Sequence, residues 1–422
     1  MFERSEAQVL VVGAGPVGLF SALSLTERGL SVRIVDEELR TAAHSYALAL
    51  HPHTIKVLAD LGLGAELVDR GYRVNKVAFY DGNQRRAELD MDTLACEHPY
   101  MLVLPQSALE GLLEQRLAQK GVKVQWNHSV SNLQSVGDSA VAVVDQLGKV
   151  SGGYAASTTE WVVEKSTRVR AAFVVGADGH RSIVRRSLGA DYQRLGDPAF
   201  YAVFEFHSGA DFANEVRIVL DDETTNVLWP LPGGRCRWSF QLTDAEVASS
   251  SRFKSRLAVQ IGGRAYPQLE PSSLQEMIER RAPWFGGEIG EMSWSMAVRF
   301  ERRLVDGFGR DQFWLAGDSA HMASPIGGHS MNVGIREAQD LADAIAATIR
   351  NQRPPALLQS YNEQRIAEWR QLLQIDGPVA VCDDADSWVK QRGDRIPPCI
   401  PAAGTELHAL ANQIGIELDS GA

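Results

Sequence analysis

Three glycines near the start of the chain have the spacing of a phosphate-binding turn. Gly13, Gly15 and Gly18 follow the apolar segment 9–12 and precede apolar residues at helical spacing. Between a strand and a helix, such glycines allow a tight turn and bring the backbone close to a pyrophosphate at the helix N-terminus. Asp36, at the end of the next predicted strand, could accept hydrogen bonds from a ribose hydroxyl. This pattern predicts dinucleotide binding and leaves nicotinamide and flavin cofactors open.

Two later buried strands also end in a glycine and an acid. Residues 173–175 lead into a Gly-Ala-Asp-Gly segment that contains Asp178, and residues 313–316 lead into Gly317 and Asp318. An acid in this position can hold a sugar or ribityl hydroxyl, while the backbone amides that follow face a phosphate or a ring oxygen. The three strand ends therefore predict one site assembled from distant parts of the sequence.

In this order along the chain, the three sites resemble the fingerprints of the class A flavoprotein monooxygenases, the para-hydroxybenzoate hydroxylase family, over about residues 8–375. The resemblance implies an α/β fold in which a Rossmann-like FAD-binding domain carries an inserted antiparallel-sheet substrate domain. It also implies that a loop with Pro325, Gly328 and Ser330 passes beside the isoalloxazine ring. The residues assigned to FAD by the motifs and the resemblance are Gly13, Gly15, Gly18, Asp36, Gln106, Asp178, Gly317, Asp318, Met331 and Asn332.

The resemblance further implies a reaction. NADPH or NADH would visit the flavin transiently and reduce it, dioxygen would form a flavin hydroperoxide, and one oxygen atom would pass to a phenolic or polycyclic aromatic molecule. Because the cofactor would carry this chemistry, no catalytic side chain is predicted.

Two positions depart from the family pattern. Ser330 stands where the family usually has Gly, and Tyr46 stands where an Arg often helps to hold FAD or the reductant. Arg40 or His44 could substitute for that Arg. These departures leave open a flavin-binding protein that has lost turnover.

A flavin-dependent halogenase is another alternative, because that group shares the first glycine motif. Such enzymes need a lysine near the substrate, and Lys76 is the candidate. The Trp-x-Trp-x-Ile-Pro signature common in the group is absent, since the segment around Trp294 offers one tryptophan only. The hydroxylase interpretation is therefore favoured.

The pattern of strands and helices predicts a discontinuous organisation. Residues 1–75, 100–185 and 301–350 form the FAD-binding domain, residues 76–99 and 186–300 form the substrate-binding sheet, and residues 351–422 form a C-terminal helix and an irregular tail. Because strand side chains alternate between faces, about half of the aromatic residues in the second domain should line the substrate pocket. The candidates are Tyr201, Phe204, Phe206, Trp229, Trp238 and Phe240.

Composition limits the remaining function classes. The 422 residues are 45% apolar and 23% charged, which is typical of a globular protein of two or three domains. A net charge of −11 argues against a broad surface for nucleic acid. Four widely spaced cysteines form no metal motif, and the short charged N-terminus resembles neither a signal peptide nor a membrane anchor. We therefore expect a cytoplasmic monomer or homodimer without a metal.

Overall fold

The structure is a computed structural model. It describes residues 3–39, 48–152, 158–248, 258–261, 264–267, 269, 271–351 and 356–418. The strands in chain order are β1 (Glu3–Val12), β2 (Val32–Val35), β3 (Ala49–Leu50), β4 (Tyr72–Val74), β5 (Lys76–Asp81), β6 (Gln84–Asp90), β7 (Met101–Val103), β8 (His128–Val136), β9 (Ser139–Gly152), β10 (Thr158–Gly176), β11 (Tyr192–Arg194), β12 (Ala199–His207), β13 (Glu215–Leu220), β14 (Thr225–Leu231), β15 (Arg235–Leu242), β16 (Ala258–Ile261), β17 (Arg264–Pro267), β18 (Met292–Phe300), β19 (Arg303–Val305), β20 (Gly309–Arg310), β21 (Phe313–Leu315), β22 (His321–Met322), β23 (Ala380–Val381) and β24 (Ile416–Glu417). The helices are α1 (Pro16–Glu27), α2 (Pro52–Asp60), α3 (Gly64–Arg70), α4 (Gln106–Gln119), α5 (Ile183–Leu188), α6 (Asp244–Ala248), α7 (Pro271–Arg281), α8 (His329–Asn351), α9 (Ala356–Leu372), α10 (Ser387–Arg392) and α11 (Gly404–Asn412).

The first sheet brings the three predicted strand ends to one edge. Its strand order is β2-β1-β10-β21-β20, and the contacts among the first four strands are parallel. In this register Val12 pairs with both Val35 and Gly176, and Gly176 also pairs with Leu315. Helix α1 packs against α4 and α8. Because the strands are parallel, the turns that follow them open on the same side, where α/β sheets bind ligands.

The second sheet is formed by two separate segments of the chain. Its order is β18-β12-β15-β14-β13-β5-β6, so the hairpin at residues 76–90 joins strands from residues 199–300. One face packs on α7, and the other face lies in a core that includes residues of β3, β7 and the C-terminal segment. The predicted α/β fold with an inserted antiparallel sheet is confirmed.

The C-terminal tail differs from the prediction. The part that follows α9 was expected to be irregular, but it forms α10, α11 and the pair β23–β24. Trp388, Ile400 and Leu410 are buried in the core of the second sheet. Helices of six and nine residues, separated by three prolines, carry too few turns for a clear apolar period, and packing rather than local sequence stabilises them.

Within the described ranges, no helix is both long and apolar enough to cross a membrane. The same part of the chain holds no cluster of side chains suited to a metal ion.

Candidate functional site

The three glycines of the first turn differ in how closely other atoms approach them. Gly13 has φ of +102°, and a Cβ there would collide with the backbone of Ala177. A Cβ on Gly18 would collide with the carbonyl oxygen of Gly13. By contrast, nothing lies within 4 Å of the place where a Cβ on Gly15 would stand. Gly13 and Gly18 therefore close the turn, whereas Gly15 faces an open cradle at the N-terminus of α1, where N–H groups attract a phosphate.

Asp36 supports this turn from the next strand. Its Oδ2 accepts a hydrogen bond from the Ala14 backbone N–H at 2.5 Å, and its Oδ1 accepts one from the Glu38 N–H at 2.8 Å. The predicted ribose acceptor is therefore beside the glycine turn. Its contact with a ribose stays a prediction.

The second strand end presents a buried carboxylate oxygen without a partner. Asp178 Oδ2 accepts hydrogen bonds from the N–H groups of Ile183 at 2.7 Å and Val184 at 3.3 Å, so it caps α5. Asp178 Oδ1 is buried and has no hydrogen-bond partner among the described residues. Burial raises the pKa of Asp178, while hydrogen bonds from Ser182 and the α5 amides lower it. A donor from a bound molecule would satisfy the orphaned oxygen.

The third strand end directs an acid outward. Gly317 has φ of +67°, and its N–H donates to Oε2 of the fully buried Glu337 at 2.9 Å. Glu337 also bonds His321 Nε2 at 2.8 Å, and His321 with the Gly317 amide holds the pKa of Glu337 below its usual value although burial alone would raise it. Asp318 is exposed between the buried residues Gly317 and Ser319. Its carboxylate accepts no hydrogen bond from any described residue and is available to a ligand.

The predicted ring-side loop uses its side chains within the protein. Ser330 Oγ accepts from the Ala323 N–H at 3.0 Å. Asn332 Oδ1 accepts from the His51 N–H at 2.8 Å, and Asn332 Nδ2 donates to the Ala49 and Gly328 carbonyls at 2.8 Å each. These bonds bind the start of α8 to β3 and α2. The backbone amides of this loop, rather than these two side chains, are what it can offer to a ligand.

Two further predicted residues, Gln106 and Met331, are described by the structure. Gln106 begins α4 and donates from Nε2 to Glu110 at 2.7 Å, and Met331 is buried at the start of α8. Their roles toward a cofactor stay predictions. Arg40, His44 and Tyr46 lie outside the described residues.

A cavity lies between the ring-side loop and the second sheet. Its walls are Leu48, Val203, Trp229, Arg237, Ser239, Phe300 and Pro325. Trp229 thus lines this cavity, and its contact with a substrate stays a prediction. Tyr201 lies on the same face of the sheet, in the same core. Burial raises the pKa of the Tyr201 hydroxyl, which bonds Ser324.

Four aromatic candidates were wrong. The side chains of Phe204, Phe206, Trp238 and Phe240 are buried on the opposite face, against α7. The sequence shows that side chains alternate but not which set faces the loop, and aromatic residues fill the core face here. Arg237 and Ser239, which alternate with Trp238 and Phe240 along β15, line the cavity and were missed. The polar residues within a β-rich run were the signal for the pocket face.

Lys76 does not reach this cavity. Its Nζ bonds Glu88 at 2.6 Å on the edge strand β6, and both side chains are partly exposed. Its own strand β5 is separated from β14, which carries Trp229, by β13. The residue that made a halogenase conceivable is therefore outside the candidate site.

An FAD molecule fits the three strand ends. The cradle above Gly15 would be blocked by a side chain, and it adjoins the first turn of α1. The buried Asp178 Oδ1 and the exposed Asp318 carboxylate both lack donors that ribityl or sugar hydroxyls supply.

Comparisons with known proteins agree with this fit. The profile of the family described as FAD binding domain matches residues 6–376. The 6-methylpretetramide 4-monooxygenase of Streptomyces rimosus is 29% identical over 379 residues, covering 88% of this chain and 61% of that protein. The chain thus spans about three fifths of that relative. The para-nitrophenol 4-monooxygenase of Pseudomonas sp. (strain WBC-3) is 27% identical, with 91% of this chain and 87% of the relative covered.

Solved structures share the fold. The p-nitrophenol 4-monooxygenase PnpA from Pseudomonas putida DLL-E4 has a TM-score of 0.70 at 22% identity, covering 98% of this chain and 97% of that one. PqsL of P. aeruginosa in complex with 2-aminobenzoylacetate has a TM-score of 0.69 at 21% identity, with 88% and 96% covered.

Proposed function

Because the chain belongs to the FAD-binding domain family, we propose that it is an FAD-dependent monooxygenase that uses NADPH or NADH and dioxygen to hydroxylate an aromatic small molecule. The observation that carries this proposal is the continuity of one segment. Gly317 and Asp318 belong to the cofactor edge, and Pro325, a few residues later, lines the aromatic-walled cavity. A ring held beside Pro325 would thus lie next to a substrate in the cavity.

Each part of the chain has a distinct role toward FAD in this proposal. The open backbone at Gly15 and the N-terminus of α1 hold the pyrophosphate, and Asp36 holds a ribose hydroxyl. Asp178 and Asp318 accept hydrogen bonds from hydroxyl groups, while the amides at 331–332 face the ring. When bound, FAD supplies the redox chemistry and the activation of dioxygen.

The cavity residues position the substrate and exclude water. Trp229 and Phe300 offer aromatic surfaces on which a planar ring can pack. Leu48, Val203 and Pro325 keep the remaining wall apolar, so water is displaced when the ring binds. The relatives named for 6-methylpretetramide and for para-nitrophenol support a substrate of this kind.

The direct test is spectroscopic. The purified protein is expected to carry FAD, and a panel of phenols and aromatic acids is added anaerobically with NADPH or NADH. The proposal predicts that one aromatic accelerates bleaching of the flavin absorbance and that air restores it. Bound FAD that no reductant and no aromatic affects would instead favour the flavin-binding protein without turnover.

Two expectations from composition accompany this proposal. We expect the protein in the cytoplasm, since its four cysteines are free thiols in the described structure. We also expect a monomer or a homodimer, which light scattering of the purified protein would distinguish.

A further inference from the structure

A histidine side chain holds the loop that precedes α8. His51 Nε2 lies 2.8 Å from the carbonyl oxygen of Gly327. Because a carbonyl oxygen can only accept a hydrogen bond, the proton of the His51 ring must be on Nε2. Asn332 Nδ2 donates to the next carbonyl along the chain, that of Gly328, at 2.8 Å. Two successive carbonyl groups of the loop are therefore each held by a side-chain donor.

The His51 ring is itself rigidly supported. His51 directly follows β3, which pairs with β7, and it precedes the first residue of α2. Its backbone N–H donates to Asn332 Oδ1 at 2.8 Å, and the residue is 2% exposed. Burial, and after it the nearby His329, hold the pKa of His51 well below its usual value, so the ring is neutral and has one N–H to donate. That single donor is directed to Gly327.

The loop is closely packed where His51 holds it. A Cβ on Gly327 would collide with the His329 ring and with the carbonyl oxygen of Pro398. Gly328 has φ of +67°, and a Cβ there would stand 3.5 Å from His51 Nε2. Side chains and backbone from the start of α2, from α8 and from the C-terminal segment thus fix the position of this peptide.

The amides of the same peptides remain available to a ligand. The N–H groups of Gly327 and Gly328 donate to no residue within the described ranges, whereas the Ala323 N–H donates to Ser330 Oγ. The first N–H groups of α8 have no partner within the helix. A hydrogen bond accepted by a carbonyl oxygen also makes the N–H of that peptide a stronger donor. His51 therefore both places and strengthens donors at the start of α8.

We propose that His51 is a positioning residue that raises the reduction potential of bound FAD by holding the Gly327–Gly328 peptide and the first amides of α8 toward the flavin ring. This rests on the proposed function and deepens it. Reduction adds negative charge to the ring, and donors that are already fixed in place stabilise such charge better than donors that must reorient. His51 acts through the loop and not by contact with the ring.

The test compares three substitutions at His51 in the purified holoprotein. His51→Leu removes the donor, His51→Asn carries an amide too short to reach the Gly327 carbonyl, and His51→Gln places an amide N–H about where Nε2 stands. The potential is measured by equilibration with a reference dye, at a pH where reduced flavin is ionised. In the Leu and Asn variants, reduced FAD should bind about fivefold more weakly relative to oxidised FAD, as for one lost hydrogen bond. For a two-electron couple this lowers the potential by about 20 mV, and the Gln variant should recover most of the difference.

A neighbouring histidine provides the matched control. His53 lies two residues further on, in α2, and its Nε2 has no hydrogen-bond partner among the described residues. His53→Leu should leave the potential unchanged. A purely structural role of His51 would lower the Tm of the apoprotein in the Leu and Asn variants without moving the potential. Where His51→Leu does not fold, the Asn and Gln variants, which differ by one methylene group, provide the comparison.

The outcomes separate this inference from the proposed function. Equal potentials in the unchanged protein and in the folded Asn variant, together with oxygenation of an aromatic, would refute the role of His51 alone. A lowered potential in the Asn variant that the Gln variant restores, without oxygenation of any aromatic, would refute the monooxygenase alone. A protein that takes up no FAD would overturn the proposed function and this inference with it.

Discussion

At the scale of single residues, the glycines of the first turn have different tasks. Their spacing predicted all three as one motif. The structure shows that Gly13 and Gly18 are required by backbone contacts, while Gly15 borders open space. The motif itself assigns the tight turn to Gly13, the approach to a pyrophosphate to Gly15 and close helix–strand packing to Gly18. It does not show that the contacts at Gly13 come from Ala177, more than 160 residues away in sequence.

This difference predicts opposite effects of the same substitution. Gly15 has φ of −71°, which any residue adopts, so Gly15→Ala should change the unfolding free energy of the apoprotein by less than about 1 kcal/mol yet weaken FAD binding. Gly18→Ala should destabilise the apoprotein by about 1–3 kcal/mol because its Cβ meets a carbonyl oxygen. Urea unfolding and FAD titration measure the two effects. If Gly15→Ala bound FAD as tightly as the unchanged protein, the open space at Gly15 would not be where FAD binds.

Asp318 gives a second residue-scale prediction. Asp318 is exposed, and its carboxylate accepts no hydrogen bond from a described residue, so Asp318→Ala should leave the apoprotein folded. The dissociation constant of FAD should rise about 10–100-fold, as expected for a lost hydrogen bond to a charged group. Asp69→Ala, an exposed acid on α3, is the matched control. An unchanged flavin spectrum in the Asp318 variant would exclude Asp318 from the cofactor site.

At the scale of elements, the start of α8 connects three parts of the molecule. This helix begins at His329. The sequence did not predict its contacts: His51 Nε2 bonds the Gly327 carbonyl at 2.8 Å, and the His51 and His329 rings lie 5.8 Å apart. Such contacts depend on where α2 packs, which no local pattern encodes.

Both histidines make stability depend on pH. Burial lowers the pKa of His329 to about 4 and holds that of His51 well below its usual value. Because the unfolded chain takes up these protons first, stability should be lost as the pH falls from about 6.5 toward 4, by roughly 2 kcal/mol between about pH 7 and 5 for His329 alone. His329→Gln should flatten the dependence of Tm on pH, whereas the exposed His207→Gln should not. If Tm depended equally steeply on pH in both variants, His329 would not be the source of the pH dependence.

At the scale of the whole molecule, the C-terminal segment completes the core of the second sheet. The discontinuous FAD-binding domain could be proposed from the order of its motifs, since each motif carries its own local signal. The docking of α10 and α11 could not, because Trp388 packs on Phe79, more than 300 residues earlier.

This packing predicts that the tail is structural. Trp388 is 2% exposed, so Trp388→Ala should lower the unfolding free energy by about 3–5 kcal/mol. Trp161→Ala, at 48% exposure, should change it by less than about 1 kcal/mol. Denaturant unfolding of both variants compares them directly. If both variants changed the unfolding free energy equally and only slightly, the core of the second sheet would not depend on the C-terminal segment.

We propose that the protein transfers an oxygen atom from dioxygen to an aromatic ring by means of bound FAD. The most direct measurement is mass spectrometry of the product formed with NADPH or NADH under isotope-labelled dioxygen, using the aromatic that best accelerates flavin reduction. Oxygenation by means of bound FAD predicts one labelled oxygen atom in the hydroxylated product. A product whose new oxygen comes only from water, or reductant consumption with no oxygenated product for any aromatic in the panel, would contradict it.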